Sequence, residues 1–324
     1  SEDCGGAIYI SGGNLTLERC TFENNSTSDE NGGALCLDGG THQMTDCVFL
    51  NNQSKDCGGA IYISGGNLTL ERCTFENNST SDENGGALYL DGGTHQLTDC
   101  VFLNNQSKNC GGAIYAASDA GITATNCVFK CNKTTSDDGG ALFLSGGTHN
   151  ITNCLFVGNH SADNAGAIYA RNNTCTLTIT NCTFNANKAD DRGGAVYCWN
   201  GAQIYIYNTI LWHNTAATAG NEVHNNQSDP GDVTLDYCCV SASGYGGETS
   251  RITESNTTNG DPQFVDELGA DGQAGTGDED LHLGSGSSCI DAGNNGYITG
   301  VGTDLDGNPR IVNGTVDIGC YEKQ

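Results

Sequence analysis

A near-perfect internal duplication constrains this chain more than any other feature. Residues 4–55 recur as residues 57–108, an offset of 53, with two changes: Cys36 becomes Tyr89 and Met44 becomes Leu97. Inside that unit lies a second period of half its length. The tetrapeptide GGA[I/L/V] begins at Gly5, Gly32, Gly58, Gly85, Gly111, Gly139 and Gly193, with AGAI at Ala165 filling the gap, in steps of 26 to 28 residues. A second motif, C-x-F-x-x-N, keeps step with it. Its cysteines are Cys20, Cys47, Cys73, Cys100, Cys127, Cys154 and Cys182. Its aromatics are Phe22, Phe49, Phe75, Phe102, Phe129, Phe156 and Phe184, and its asparagines Asn25, Asn52, Asn78, Asn105, Asn132, Asn159 and Asn187. A further copy, TILWHN, keeps Asn214 but carries Thr209 and Leu211, and LDYCCV places Cys238 at the cysteine position of a degenerate last copy.

One unit holds two or three short β-prone runs, such as AIYI and NLTLERCTF, separated by turn-forming SGG and ENNSTSDEN. No run has helical periodicity. Such a unit cannot bury its apolar side alone, whereas stacked units bury a continuous core. The expectation is an all-β fold: a right-handed, single-stranded parallel β-helix of nine or more coils of about 27 residues over residues 1–240. At ~4.8 Å per coil such a rod is roughly 45 Å long. Equivalent residues then lie over one another. The Phe column and the aliphatic column from Ile8 to Val196 become core stacks. The Asn column, through Asn214, becomes an inward amide ladder, and the Gly pair permits a turn with positive φ.

GGA[I/L] with F-x-x-N resembles the repeats of the chlamydial polymorphic outer-membrane proteins and related bacterial β-helix surface proteins, over residues 4–214. That resemblance implies surface display and adhesion. After about residue 241 the period is lost. DPQFVD, SSCIDAG, TDLDGNPR and DIGCYE resemble the terminal segment of secreted bacterial parallel β-helix proteins, so residues 241–324 are expected to pack on or cap the helix. Cys289 and Cys320 stand where that segment usually has alanine, and the resemblance implies a Cys289–Cys320 disulfide.

The chain has 18 cysteines, which points to an oxidising compartment and an extracellular or cell-surface protein. The repeating cysteine column is open to two readings, buried thiols or bonds between coils; thiols fit because each already occupies a core site. Cys175 and Cys198 fall near each other on adjacent coils and form a second candidate disulfide. The chain opens SEDCGGAIYI, without a signal peptide, which reads as a mature chain or a fragment. Sequons on the ladder are expected to face inward. Asn14, Asn67, Asn150, Asn172, Asn181, Asn226, Asn256 and Asn313 are the glycosylation candidates.

A net charge of −27 opposes nucleic acid and anionic membrane surfaces. Asp137–Asp138 and Asp190–Asp191 are paired carboxylates, but both precede the GGA turn inside a recurrent acidic loop, with no accompanying G-H-G or R-I-K. No catalytic residue is assigned and an enzyme is not expected, a polysaccharide lyase or hydrolase being the alternative. His42, His95 and His149 share one column on alternate coils, too far apart for one metal, and are expected at the edge of the core. Asp304, Asp306 and Asn308 resemble half a calcium loop; Ca²⁺ is the one cofactor to consider, and a turn the simpler reading. Beside the aliphatic column runs an aromatic one: Tyr9, Tyr62, Tyr89, Tyr115, Phe143, Tyr169 and Tyr197. Alternation places it outside, as a binding stripe for glycan or protein; a corner of the core is equally open. The expected role is an extracellular structural subunit. Residues 1–30 would pair with the C-terminal region of the next copy in a head-to-tail filament, with a monomeric surface adhesin as the alternative.

Overall fold

The structure, a computed structural model, describes residues 4–117, 119–242, 244–298 and 300–324. Among them the chain winds as a right-handed parallel β-solenoid of about nine turns. Three long sheets run the length of the coil. The first has ten strands, from Ile8–Ser11 to Tyr245–Gly247. The second has ten, from Thr16–Glu18 to Ile252–Ser255, and the third nine, from Thr21–Glu23 to Cys239–Val240. A narrow fourth sheet joins seven two-residue strands, from Gln53–Ser54 to Thr215–Ala216. The parallel strands therefore continue beyond residue 240.

Register keeps like residues over like. Phe22 pairs with Phe49, Phe49 with Phe75, and so on to Phe184 over Leu211. Their rings stack with centroids 4.5–5.0 Å apart and planes within 7°. Each ladder asparagine donates its Nδ2 to the Oδ1 of the next coil at 2.7–3.0 Å, from Asn25 through Asn187 to Asn214. The same Nδ2 binds a phenylalanine carbonyl of the coil before, as Asn78 does at Phe49 O, 2.9 Å. The ladder thus keeps a buried corner free of unpaired amides.

The two glycines of GGA do different work. The first has φ near +70°, as at Gly85 (72°) and Gly111 (67°); Ala165 takes its place at 61°. The second has ordinary φ but no room. A Cβ on Gly112 would lie 2.0 Å from Gly140 O, and on Gly140 2.2 Å from Gly166 O. Two other corners use left-handed residues other than glycine, Asp46, Asp99 and Asn126 at one and Asn51, Asn77 and Asn104 at the other. Asn and Asp tolerate that conformation best, which accounts for the asparagine-rich turns.

His42, His95 and His149 lie inside the core, not at its edge, with no exposed surface. Each Nε2 meets the carbonyl of Gly39, Gly92 or Gly146 at 2.6–2.8 Å. A carbonyl only accepts, so Nε2 carries a proton in each ring. Burial lowers the pKa of His95, and that of His149 to about 4.

Residues 261–298 and 300–324 fold back along the outer face of the third sheet. There the outward positions turn apolar. Ile210, Trp212 and Cys239 pack with Leu283, Cys289 and Ile318, and Leu155 and Val157 with Leu281 and Cys320. Asn208 binds both the amide and the carbonyl of Asn294, at 2.8 and 3.0 Å. Among the described residues the flank segment covers the outer face of the third sheet, while the last strand, Ile252–Ser255, stays largely exposed. At that end Tyr245 continues the aliphatic column over Val223, and Glu254 sits over Leu235. The phenol donates to the carboxylate at 2.7 Å, at the exposed end of the core.

Candidate functional site

A cluster of buried ionisable groups, Asp304, Arg310, Asp317 and Glu322, lies in the flank segment. Arg310 is 1 % exposed. Its Nη2 donates to the carbonyls of Asp317 (3.3 Å) and Gly319, and its Nη1 lies 3.9 Å from Glu322 Oε2. The surrounding carboxylates bind backbone. Glu322 accepts the amides of Val312 and Asp317 at 3.1 and 3.0 Å; Asp317 accepts those of Asp291 and Lys323, both at 2.6 Å. Asp304 accepts the amides of Asp306, Asn308 and Glu322 at 2.8–3.1 Å. SSCIDAG, TDLDGNPR and DIGCYE are therefore three strands of one polar knot, which orders a segment with little sheet of its own. Burial pushes the Glu322 carboxyl up to about 7 and raises that of Asp317.

His282 bridges the knot to the antiparallel pair Phe264–Asp266 and Asp280–Leu283. Its Nδ1 lies 2.5 Å from Asp280 Oδ1 and its Nε2 2.6 Å from Asp306 Oδ2, and the ring stacks on Tyr321 at 4.1 Å. The site opens on a shallow recess of about 370 Å³ lined by Val265, Asp280, His282 and Asp306. Only an imidazolium donates to both carboxylates. Burial opposes the charge, but the bonds to Asp306 and Asp280 outweigh it and raise the pKa. A raised folded pKa contributes stability that is complete below the unfolded value and is lost as pH rises through the folded one. We expect a histidine midpoint above 6.5 by NMR titration, and faster amide exchange at Leu281–Leu283 on the alkaline side of it. Asp280→Asn and Asp306→Asn should each lower the midpoint.

Asp304, Asp306 and Asn308 form a turn, with Asp304 engaged by backbone and Asp306 by His282. Among the described residues no three His, Cys, Asp or Glu side chains are set to hold a metal ion.

Glu222 is a further buried carboxylate, fully enclosed at the end of the asparagine ladder. Asn214 donates to it at 2.5 Å, and Ser241 also donates. Burial lifts its pKa to about 7, against the lowering effect of those bonds. The folded state thus favours the protonated acid. Its contribution is complete below about pH 4 and is lost as pH rises toward 7. Glu222→Gln should flatten that slope. Urea denaturation near pH 8 should find the variant more stable by on the order of 1–3 kcal/mol, with a smaller difference near pH 5.

All 18 cysteines are thiols. The repeat column is buried from Cys47 to Cys182, with contacts between coils such as Cys127 N–H to Cys154 Sγ at 3.3 Å. The two expected disulfides are not found. Cys289 and Cys320 belong to separate clusters: Cys289 packs with Cys239, and the amide of Cys320 meets Thr183 Oγ1 at 3.1 Å. Cys198 turns its thiol to Ala202 O at 3.4 Å, not to Cys175.

Among the glycosylation candidates, Asn14, Asn67, Asn150, Asn256 and Asn313 are exposed, and Asn172 and Asn226 half-buried. The Asn226 amide is engaged by Tyr197 Oη at 2.6 Å. Asn181, contrary to the expectation of an accessible sequon, is fully buried. It shares a corner column with Asn153 and Asn208, both of which bind the flank segment that covers it.

The aromatic stripe divides in two. Tyr9 is 53 % exposed, Tyr62, Tyr89 and Tyr115 are half-buried, and Phe143, Tyr169 and Tyr197 fall to 2–4 %. From Tyr62 onward the rings stack at 4.8–5.2 Å, and His224 extends the row at 5.1 Å. Arg171 lies over Phe143 and Trp199. The buried half is a small external core. The open half offers ring edges and hydroxyls, because each face is occupied by its neighbour.

Fold and site together define a parallel β-solenoid with an irregular segment bound along one flank. The right handed beta helix region profile matches residues 6–176 and 59–261, more than half of the chain, and the chain belongs to that family. No curated protein matches it.

Proposed function

We propose that the chain is an extracellular, non-catalytic structural rod that works as a single copy. Family membership assigns no chemistry, since the family includes pectate-lyase-like enzymes and non-enzymes. The observation that carries the reading is the use made of the acidic side chains. Asp138 accepts from Asn164 at 2.9 Å. Asp190 pairs with Lys188 and His160, and Asp191 with Arg192. The flank carboxylates hold backbone. Asp280 and Asp306, which line the recess beside His282, both bond to that ring, so neither is left free as the acid or base of glycosidic cleavage. The charge of −27 and the cysteine count support an extracellular setting.

Glu254 favours a single copy over the head-to-tail filament expected from the repeat. A further coil stacked there would bury an acid at a leucine position. Inward-pointing charge is a recognised block to edge pairing. Electron microscopy and small-angle scattering across protein, salt and calcium concentrations test both points. Monomeric rods are expected; regular fibres would overturn the single-copy reading. Release of oligosaccharides from a polysaccharide panel, lost in Asp190→Asn or Asp191→Asn, would overturn the non-catalytic one. The open half of the aromatic stripe favours a second reading, a surface adhesin that meets its partner through the hydroxyls of Tyr62, Tyr89 and Tyr115. Array binding abolished by Tyr89→Ala would favour it.

A further inference from the structure

The two cysteines of LDYCCV face opposite ways. Cys238 points into the core, its thiol 3.3 Å from Ile206 O. Cys239 points outward, 3.2 Å from Gly260 O, and packs with Ile210, Trp212, Leu283 and Cys289 under the flank segment. Cys289 reaches this place from 50 residues further along the chain, held by Ile318 N–H at its carbonyl and by Ser287 Oγ at its amide. Both thiols are fully buried within the same packed cluster. Burial keeps stray nucleophiles away, and opposite ends of a long loop meet, which is where a crosslink restrains the unfolded chain most.

The geometry points to a Cys239–Cys289 disulfide as a covalent lock that fastens the flank segment to the last turns of the solenoid. The bond forms by exchange with a small disulfide such as glutathione disulfide, as the segment docks. One cysteine thiolate attacks a glutathione sulfur and expels the first glutathione thiolate. The second cysteine thiolate attacks the resulting mixed disulfide and expels the other. Two protons and two electrons pass to glutathione disulfide, which leaves as two glutathione thiols. This goes beyond the rod reading: fibres or enzyme activity would leave it intact.

The sequence supplies a clean test. Arg251 is the one Lys or Arg between the two cysteines, and tryptic peptide 252–310 contains Cys289 as its one cysteine. The full chain is produced with glutathione disulfide present, alkylated, and digested without reduction. Peptide 252–310 is expected joined to peptide 193–251 and released by reductant. Cys239→Ser should abolish the link; Cys238→Ser and Cys320→Ser should keep it. Recovery of 252–310 with an alkylated thiol, or joined to peptide 311–323 through Cys320, overturns the proposal. So does a link that survives Cys239→Ser. In the locked chain, amide exchange across residues 280–322 should be roughly tenfold or more slower than after reduction.

Discussion

Phe102→Ala is expected to remove about 3–5 kcal/mol of stability, a large share of what holds the middle turns together. Phe102 has no exposed surface, and its ring lies between those of Phe75 and Phe129 at 4.9 Å on each side. The coils above and below are fixed by their own backbone ladders, so the hole cannot collapse. Each turn touches only its neighbours, so the damage should divide the rod instead of lowering it uniformly. Guanidinium unfolding should become multiphasic, with early amide exchange in residues 74–130. Phe22→Ala, in the half-buried first coil, should lose much less. A change below about 1.5 kcal/mol at Phe102 would mean that the column relaxes and that its rigidity is overstated.

Gly112→Ala should be at least as damaging, above about 4 kcal/mol, through one added methyl. The new Cβ would stand 2.0 Å from Gly140 O and 2.6 Å from Lys133 N, and both obstacles are main chain. Room appears only if two turns separate, which breaks the ladder between them. Gly65→Ala is the comparison. Its φ is +71° but nothing lies within 4 Å, so it should cost only about 1–2 kcal/mol of backbone strain. Equal losses from the two substitutions, by denaturant titration, would show that backbone conformation and not close approach governs the motif.

The sequence revealed the solenoid because its columns repeat. Phe, Asn and aliphatic positions could be placed before any coordinates, since a fixed period turns chain distance into stacking. The two roles within GGA were hidden, because both corners of the pair read as glycine; only Ala165, tolerated at the first position and never at the second, hinted at the difference. The flank knot was illegible for the opposite reason. Arg310, Glu322, Asp317 and Asp304 meet through non-periodic contacts, and no spacing rule announces them. Cys289 and Cys320 lie in separate clusters because two unusual residues in neighbouring motifs are not thereby neighbours in space. The doubled Cys238–Cys239 held the better signal, since adjacent residues of a strand must face opposite sides. Glu254 was not legible either: the last coil advances 19 residues from Leu235 to Glu254, and a count at the 27-residue period lands on Pro262 instead.

The zero-shift register has a genetic corollary. Segments 4–55 and 57–108 present the same surfaces above and below, apart from Cys36 and Met44. Unequal recombination between their coding sequences would delete or add two whole turns while leaving every junction native. Length is thus a heritable variable that selection can adjust in steps of about 10 Å without redesigning a single contact.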